Sequence, residues 1–150
     1  MSMLIYKSDT AMHPTSGPES CHCLAARRSA RFMTRLYDQH LAPSGLSISQ
    51  FSVLAMVETH PAISVAKLSE LMVMERTTLM RAIQPMRAEG LLLCERSGAR
   101  FALDLTDAGR VKLSEAGSYW TAAQKSFEEI VGKEKAKGLR QDLLNVVFSR

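Results

Sequence analysis

Apolar residues recur at helical spacing through two neighbouring stretches in the middle of the chain. The first stretch runs from Val65 to Met72, and the second carries Leu79, Ile83 and Met86 on one helical face. Since few residues separate the two stretches, they predict a helix-turn-helix. The second helix should end at Gly90, because glycine is common immediately after a helix end.

Two runs with the pattern of β-strands follow this second helix, from Leu91 to Glu95 and from Arg100 to Leu105. In the second run, Phe101 and Leu103 alternate with less apolar neighbours, which is the pattern of a half-buried strand. A Ser-Gly pair at positions 97 and 98 indicates a tight turn between the runs. The whole stretch therefore predicts a winged helix-turn-helix with a two-stranded wing.

Two helices are expected before the winged stretch. The first should run from Glu19 or Ser20 to about Leu41. The second should begin near Ser47 or Ser49, because either residue is a suitable N-cap.

Two further helices are expected after the wing. Thr106 should cap a long helix that Gly132 interrupts, and a last helix should span Lys133 to Phe148. With one small wing among all these helices, the chain is expected to be mainly α-helical.

The helices that flank the winged stretch carry apolar residues that a compact winged domain cannot cover. Burying them against a second copy of the chain is the economical solution, so we expect a two-fold homodimer. The expected organisation is a mobile arm at residues 1–19 followed by a regulator at 20–148. Within the regulator, 46–106 should form the winged helix-turn-helix, and 20–42 and 107–148 the dimerisation helices.

Polar side chains cover the second helix of the motif away from its apolar face. Arginine and glutamine can bind guanine and adenine edges through paired hydrogen bonds, and threonine hydroxyls suit bases or phosphates. The predicted contacts with double-stranded DNA are Arg76, Thr77, Thr78, Arg81, Gln84, Arg87, Arg96 and Arg100. The alternatives are a solvated helix face and a winged helix that is used only for protein contacts.

The composition is compatible with DNA binding. The 150 residues carry a net charge of +4, and the pI of about 9.1 favours a polyanionic partner. No apolar run approaches the length of about 20 residues that a membrane span needs. The start of the chain also lacks the apolar segment of a signal peptide. We therefore expect a cytoplasmic protein whose three cysteines are thiols.

Several segments of the chain resemble motifs of the MarR family of bacterial transcriptional regulators. These segments are Leu46–Leu54, Ile63–Glu70, Met74–Arg81, Glu89–Leu92 and Leu105–Gly109, and the resemblance covers about residues 20 to 148. It implies a dimer that binds a pseudo-palindromic operator, usually as a repressor, and that a small ligand or thiol oxidation releases. The family's wing commonly carries an Asp-x-Arg-Arg run, whereas this chain has only Ser-Gly-Ala-Arg at 97–100.

A narrower resemblance, to the hydroperoxide-sensing branch of the family, centres on Cys23. That branch has a reactive cysteine near the start of the first helix, with tyrosines four and fourteen residues later. Here the fourteenth residue is Tyr37, but the fourth is Arg27, whose charge would favour a thiolate. Cys23 is therefore either a redox sensor or a small apolar residue at the dimer interface or in a ligand pocket. Cys94 is expected in the core.

The family resemblance also implies a ligand cleft where the dimerisation helices meet the winged domain. The effectors of the family are often phenolic or aryl acids. The residues expected to line this cleft are Arg27, Tyr37, Met56 and Trp120. The aromatic residues of the long helix after the wing are explained equally well by packing alone.

Metal binding and catalysis are not expected. Cys21, His22 and Cys23 are consecutive, and neighbouring residues of a helix point about 100° apart, so they do not converge on one ion. The four histidines lack a neighbouring nucleophile motif. The chain also has no glycine-rich phosphate loop and no HExxH motif. We therefore expect neither a cofactor nor an enzyme.

Overall fold

The computed structural model describes residues 17–149, so most of the predicted arm at 1–19 lies outside the described residues. The chain divides into two compact units, Met1–Met33 and Thr34–Arg150. The elements in chain order are α1 (His22–Leu41), α2 (Ile48–Thr59), β1 (Ile63–Ser64), α3 (Val65–Met72), α4 (Arg76–Ala88), β2 (Leu92–Ser97), β3 (Arg100–Leu105), α5 (Asp107–Val131) and α6 (Lys133–Phe148). None of the helices between residues 17 and 149 combines the length and the apolar character needed to cross a bilayer.

A short 3-10 turn at Pro18–Ser20 precedes α1 in the first unit. Cys21 follows it in an extended conformation, so α1 begins at His22 rather than at the predicted residue 19 or 20. Glu19 forms an ion pair with Arg28 at 3.1 Å, and both side chains are largely exposed.

Side-chain caps fix the starts of three helices in the second unit. Ser47 and Gln50 form a reciprocal capping box at α2, so Ser47 rather than Ser49 is the cap. Ser64 accepts from the backbone N–H of Lys67 at the start of α3. Thr106 caps α5 as predicted.

The predicted two-stranded wing is confirmed as the antiparallel pair β2 and β3. A third, two-residue strand that the sequence did not predict, β1, completes the sheet in the order β1-β3-β2. Ile63 pairs with Leu103 and Ser64 with Ala102. A two-residue strand has no periodicity of its own and exists only through this distant pairing. The β2 strand is Leu92–Ser97, slightly later than the predicted 91–95, whereas β3 has the predicted bounds.

One apolar core joins the last residue of α1, the helices α2, α3 and α4, the sheet and the first half of α5. Its fully buried large side chains are Leu41, Val53, Leu54, Val57, Leu68, Leu79, Ile83, Met86 and Leu103. Leu79, Ile83 and Met86 are the predicted inner face of α4. Phe101 is on the core-facing side of β3 but is exposed, because the wing extends beyond the helices that cover Leu103 and Leu105.

The start of α5 is held against the segment that follows α4 by hydrogen bonds to two backbone carbonyls. The Thr106 hydroxyl donates to the Gly90 carbonyl at 2.5 Å, and the Thr106 backbone N–H donates to the Leu91 carbonyl at 3.1 Å. Gly109 lies so close to the same Leu91 carbonyl that a β-carbon has no room. The glycine of the Leu-Thr-Asp-Ala-Gly segment is thus required by packing.

The last helix, α6, has the predicted bounds and packs on α5. It buries Ala136, whereas most of its large apolar side chains face outward. The exposed ones are Leu139, Leu143, Leu144, Val146, Val147 and Phe148.

Candidate nucleic-acid interface

The α4 helix separates its side chains into a buried and an outward face. At 3.6 residues per turn, Thr77, Arg81 and Gln84 lie on the side opposite the buried Leu79 and Ile83. All three outward side chains are exposed. The outward face therefore presents one guanidinium, one amide and one hydroxyl along about two turns.

The turn that leads into α4 exposes the first residues of the helix. Val73 ends α3 in the left-handed conformation, with φ 53°. Glu75 is the N-cap of α4 and makes no side-chain cap with any residue in the described part of the chain. Thr77 and Thr78 follow in the exposed first turn, where backbone N–H groups lack helical partners.

A cavity of about 580 Å³ lies between the wing and the helix-turn-helix. We call it the wing groove. Its lining residues are Ser64, Val65, Ala66, Lys67, Glu70, Arg76, Met80, Ala99, Arg100 and Phe101. The structure therefore brings together two predicted DNA contacts from separate elements, Arg76 of α4 and Arg100 of β3.

A second cavity, of about 540 Å³, lies between the later part of α4 and β2. Gln84 and Arg87 line it, with Leu93 and Glu95 from the strand. Arg87 is half-buried there, so it is less accessible than Arg81. The remaining predicted contact, Arg96, donates from Nε to the Gly98 carbonyl at 3.1 Å and is held at the turn of the wing.

The cysteines are free thiols in the described residues, and their positions differ. Cys23 is exposed in the first turn of α1, and Arg27 one turn later is exposed as well. The sequence did not predict a separate role for Cys21. Its sulfur accepts a hydrogen bond from the Leu24 backbone N–H at 3.4 Å. Cys94 is half-buried against the core rather than fully buried.

Tyr37 is buried, and its hydroxyl donates to Oε1 of Gln124 on α5. Burial raises the pKa of the Tyr37 hydroxyl above its ordinary value, the negative charge of Glu128 raises it further, and Arg140 lowers it. The sequence suggested a role for Tyr37 from its separation from Cys23 and from the ligand cleft that the family resemblance implies. Its pairing with Gln124 across 87 residues was not visible in the sequence.

Met56 and Trp120, which were expected to line a ligand cleft, both pack against the main core. Trp120 stacks on Phe51 with ring centroids 5.9 Å apart and an interplanar angle of 15°. This contact fixes the indole between α5 and α2. Across residues 17–149, no group of three His, Cys, Asp or Glu side chains is arranged to hold a metal ion.

Known proteins share this architecture. The MarR family model matches residues 44–99. No curated protein sequence matches the chain. The crystal structure of the M. tuberculosis transcriptional regulator MosR is 33% identical, with a TM-score of 0.75, over 85% of this chain and 93% of that one. MosR in complex with DNA is 32% identical, with a TM-score of 0.72, over 86% and 95%.

A more distant structure has the same fold. CouR from Rhodococcus jostii RHA1, bound to p-coumaroyl-CoA, is 17% identical, with a TM-score of 0.74, over 89% of this chain and 96% of that one. At that identity the likeness concerns the fold alone. The match to the family model, together with the similarity to MosR over most of both chains, shows that this chain belongs to the MarR family of transcriptional regulators.

Proposed function

We propose that this protein is a repressor that binds a pseudo-palindromic operator as a homodimer and reads bases through α4. The observation that carries the proposal is the outward face of α4, with Thr77, Arg81 and Gln84 opposite the buried side chains. These groups match the donor and acceptor pattern of base edges in the major groove. A MosR structure in complex with DNA supports duplex DNA as the partner.

The base-reading role is tested with Arg81→Ala and Thr77→Ala on an operator selected from random duplexes. Losing a bidentate base contact should cost about 1–3 kcal/mol of discrimination between the operator and a mismatched site. Lys125→Ala, an exposed cation on α5, is the control and should bind as the wild type does. If both α4 variants keep operator affinity and selectivity, α4 is not the reading helix. If the wild type binds no duplex, the winged helix serves protein contacts instead.

The dimer proposal rests on the outward face of α6. Leu139, Leu143 and Val147 recur at helical spacing and form an apolar stripe that residues 17–149 leave exposed. Such a stripe is costly to leave in water, and a second copy presents the identical surface. Two copies would also supply two α4 helices for the two halves of a palindrome.

The test of the dimer is Leu143→Arg, with Gln141→Arg as a control on the polar side of the same helix. A buried, unpaired guanidinium should abolish association at micromolar concentration, whereas the control should remain dimeric. Analytical ultracentrifugation measures both. A Leu143→Arg protein that sediments as a stable dimer would place the interface elsewhere.

We further propose that a small aromatic acid releases the operator by binding near Tyr37, Met56 and Trp120. A member of the same fold, CouR, has been crystallised with p-coumaroyl-CoA, which supports an aromatic effector class. The protein has one tryptophan, so its fluorescence reports on this region directly. Tyr37→Ala should weaken both the fluorescence change and the release, whereas Tyr119→Ala, an exposed residue of α5, should not.

The alternative signal is oxidation of Cys23, which is favoured by the exposure of this thiol in the first turn of a helix. Reaction of the thiolate with a hydroperoxide gives a sulfenic acid and an alcohol or water. Under this alternative, Cys23→Ser stays on the operator in the presence of hydroperoxide, while the wild type and Cys94→Ser dissociate. If all three proteins respond alike, Cys23 is not the sensor.

A further inference from the structure

Met74 lies in the turn between α3 and α4, where the end of α3 needs an apolar side chain. Val73 reverses the chain in the left-handed conformation, and its N–H donates to the Glu70 carbonyl at 3.2 Å. The Met74 N–H donates to the Ser69 carbonyl at 3.0 Å. These two bonds form a Schellman motif, in which the residue after the left-handed one packs on the last turns of the helix. Met74 holds that position, and Leu68 at the matching position of α3 is fully buried.

The start of α4 uses the same methionine. Glu75 is the N-cap of α4, but among residues 17–149 no side chain caps this helix start. Met74 precedes the N-cap, and Leu79 is the fourth residue of the helix. Apolar residues at these two positions pack together as a hydrophobic staple, which fixes the direction in which the chain enters the helix. Leu79 is fully buried, and Met74 packs against the core that contains it. The position of the first turn of α4 therefore depends on one thioether side chain.

This thioether side chain is accessible from solution. Met74 is half-buried, and its neighbours Val73 and Glu75 are both exposed. Met72, at the end of α3, is half-buried as well. Met86, on the inner face of α4, is only 1% exposed. A small oxidant in water can therefore approach Met74, whereas the core shields Met86.

Oxidation would convert this apolar contact into a polar one. In the reaction with hypochlorous acid, the thioether sulfur loses two electrons and forms a bond to oxygen. The O–Cl bond of the oxidant breaks, and chloride and a proton leave. The product is a methionine sulfoxide, a polar group that methionine sulfoxide reductases convert back to the thioether. A sulfoxide oxygen packed against Leu68 and Leu79 would have no hydrogen-bond donor from these side chains, so the side chain would move into water.

We propose that Met74 is a reversible oxidation site whose sulfoxide loosens the first turn of α4 and thereby lowers the affinity for DNA. The first turn carries Thr77, so its displacement moves a predicted base contact. The effect on DNA rests on the proposed function, whereas the loosening of α4 does not. The site is separate from Cys23, because its chemistry needs neither a thiolate nor a second thiol.

The first test separates sulfoxide formation from thiol oxidation. The protein is treated with a limiting amount of hypochlorous acid and then with dithiothreitol, which reduces sulfenic acids and disulfides but leaves sulfoxides in place. The affinity of the wild type for a selected operator should fall by about tenfold, as expected for a polar group forced into an apolar contact. Subsequent treatment with methionine sulfoxide reductases should restore it. A loss that dithiothreitol alone reverses would overturn the proposal, because the oxidised group would be a thiol.

Substitutions of single methionines identify the responsible sulfur. Met74→Leu keeps the apolar volume without sulfur, so it should bind DNA like the wild type and stay bound after oxidation. Met72→Leu and Met86→Leu are the controls, one half-buried and one fully buried, and both should lose affinity as the wild type does. Met74→Gln places a polar group in the same contact and should weaken binding without oxidant. If Met74→Leu also loses affinity on oxidation, or if Met74→Gln binds normally, Met74 is not the site.

The second test does not use DNA. Peptide mapping by mass spectrometry should find one added oxygen atom on Met74, and the backbone amides of residues 75–79 should then exchange hydrogen for deuterium faster. Oxidised Met74→Leu should keep the slow exchange. A reduced wild type that binds no duplex would refute the proposed function, and the exchange rates would still decide the effect on α4. A wild type that carries the sulfoxide at Met74 and keeps both its operator affinity and its slow exchange would overturn the proposal.

Discussion

The helices α4 and α6 are both amphipathic, but α4 buries its apolar face whereas α6 exposes most of it. The α4 helix buries Leu79, Ile83 and Met86 in the core of its own chain and leaves polar groups outside. The α6 helix buries Ala136 and turns a stripe of leucine and valine outward. The comparison shows that α4 has its apolar face buried within one chain, whereas α6 leaves an apolar face that the other described residues do not bury.

The helix starts do not follow this division. The hydroxyls of Ser47, Ser64 and Thr106 cap α2, α3 and α5, whereas α4 begins after Glu75 without a side-chain cap. The α6 helix starts after Gly132, which supplies no side chain and has φ 93°. A missing cap leaves orphan N–H groups to water and lowers the stability of the isolated helix. Packing of its outward stripe would therefore contribute a large share of the stability of α6.

Because the winged region is tightly packed, we expect the largest loss of stability from Gly109→Ala. The new methyl group would overlap the Leu91 carbonyl oxygen, a backbone atom that cannot move without displacing the α4–β2 junction. We expect the free energy of unfolding to fall by about 3 kcal/mol, as in overpacked cores. Urea denaturation followed by circular dichroism gives this value.

Gly117→Ala is the matched control, because it lies in the same helix and a methyl group there meets no atom within 4 Å. It should stabilise the protein by about 1 kcal/mol through its higher helix propensity. Equal effects of the two substitutions would mean that α5 is not held tightly against Leu91.

The sequence predicted most of the winged region because its elements carry local signals. The terminal Gly90 and the period of Leu79, Ile83 and Met86 predicted α4 and the place where it ends, although its start has no side-chain cap. The bounds of α6 were also predicted, since Gly132 interrupts the helical pattern. Features that depend on distant pairing were missed. These are the β1 strand, which exists through Leu103, and the contact between Tyr37 and Gln124.

The candidate site was predicted only in part for the same reason. Residue type and helical period were enough to nominate Thr77, Arg81 and Gln84. The alternation along β3 placed Phe101 correctly on the inner side of the wing, but burial depends on how far the covering helices extend. Lys67 was not nominated, because nothing local indicates that α3 lies beside the wing tip.

A smaller effect is expected at the turn between α3 and α4. Val73 adopts a left-handed conformation, φ 53°, which costs a side-chain-bearing residue about 1–2 kcal/mol. Its side chain is 67% exposed, so little packing opposes a replacement. Val73→Gly should therefore raise the free energy of unfolding by about 1 kcal/mol, after the entropy of glycine in the unfolded chain is deducted.

The control for this turn is Val111→Gly, an exposed valine with helical geometry in α5. There glycine relieves no strain and should destabilise the protein by about 0.5 kcal/mol through its lower helix propensity. Thermal melts under identical conditions measure both substitutions. Destabilisation by Val73→Gly would indicate that the valine side chain is held by contacts that outweigh the backbone strain.

The smallest effect concerns pH and tests whether α6 stays near the core. Burial is the main cause of the raised pKa of Tyr37, with Glu128 of α5 adding to it and Arg140 of α6 opposing it. A raised pKa means that the folded protein keeps the phenolic proton to a higher pH than the unfolded chain. Stability is therefore unaffected well below pH 10 and falls as pH rises past the ordinary tyrosine value of about 10.

The measurement is the free energy of unfolding between pH 9 and about 11, near the tyrosine range, for the wild type and for Tyr37→Phe. The phenylalanine variant lacks the titrating group, so its curve should fall less steeply than that of the wild type. Tyr119→Phe, which removes an exposed hydroxyl, should parallel the wild type. Arg140→Gln should steepen the fall, because removing the cation favours the neutral phenol still more. If Arg140→Gln instead follows the wild type, Arg140 lies too far from Tyr37 to influence its pKa. In that case α6 is displaced from the core in solution, whereas α4 is fixed in it.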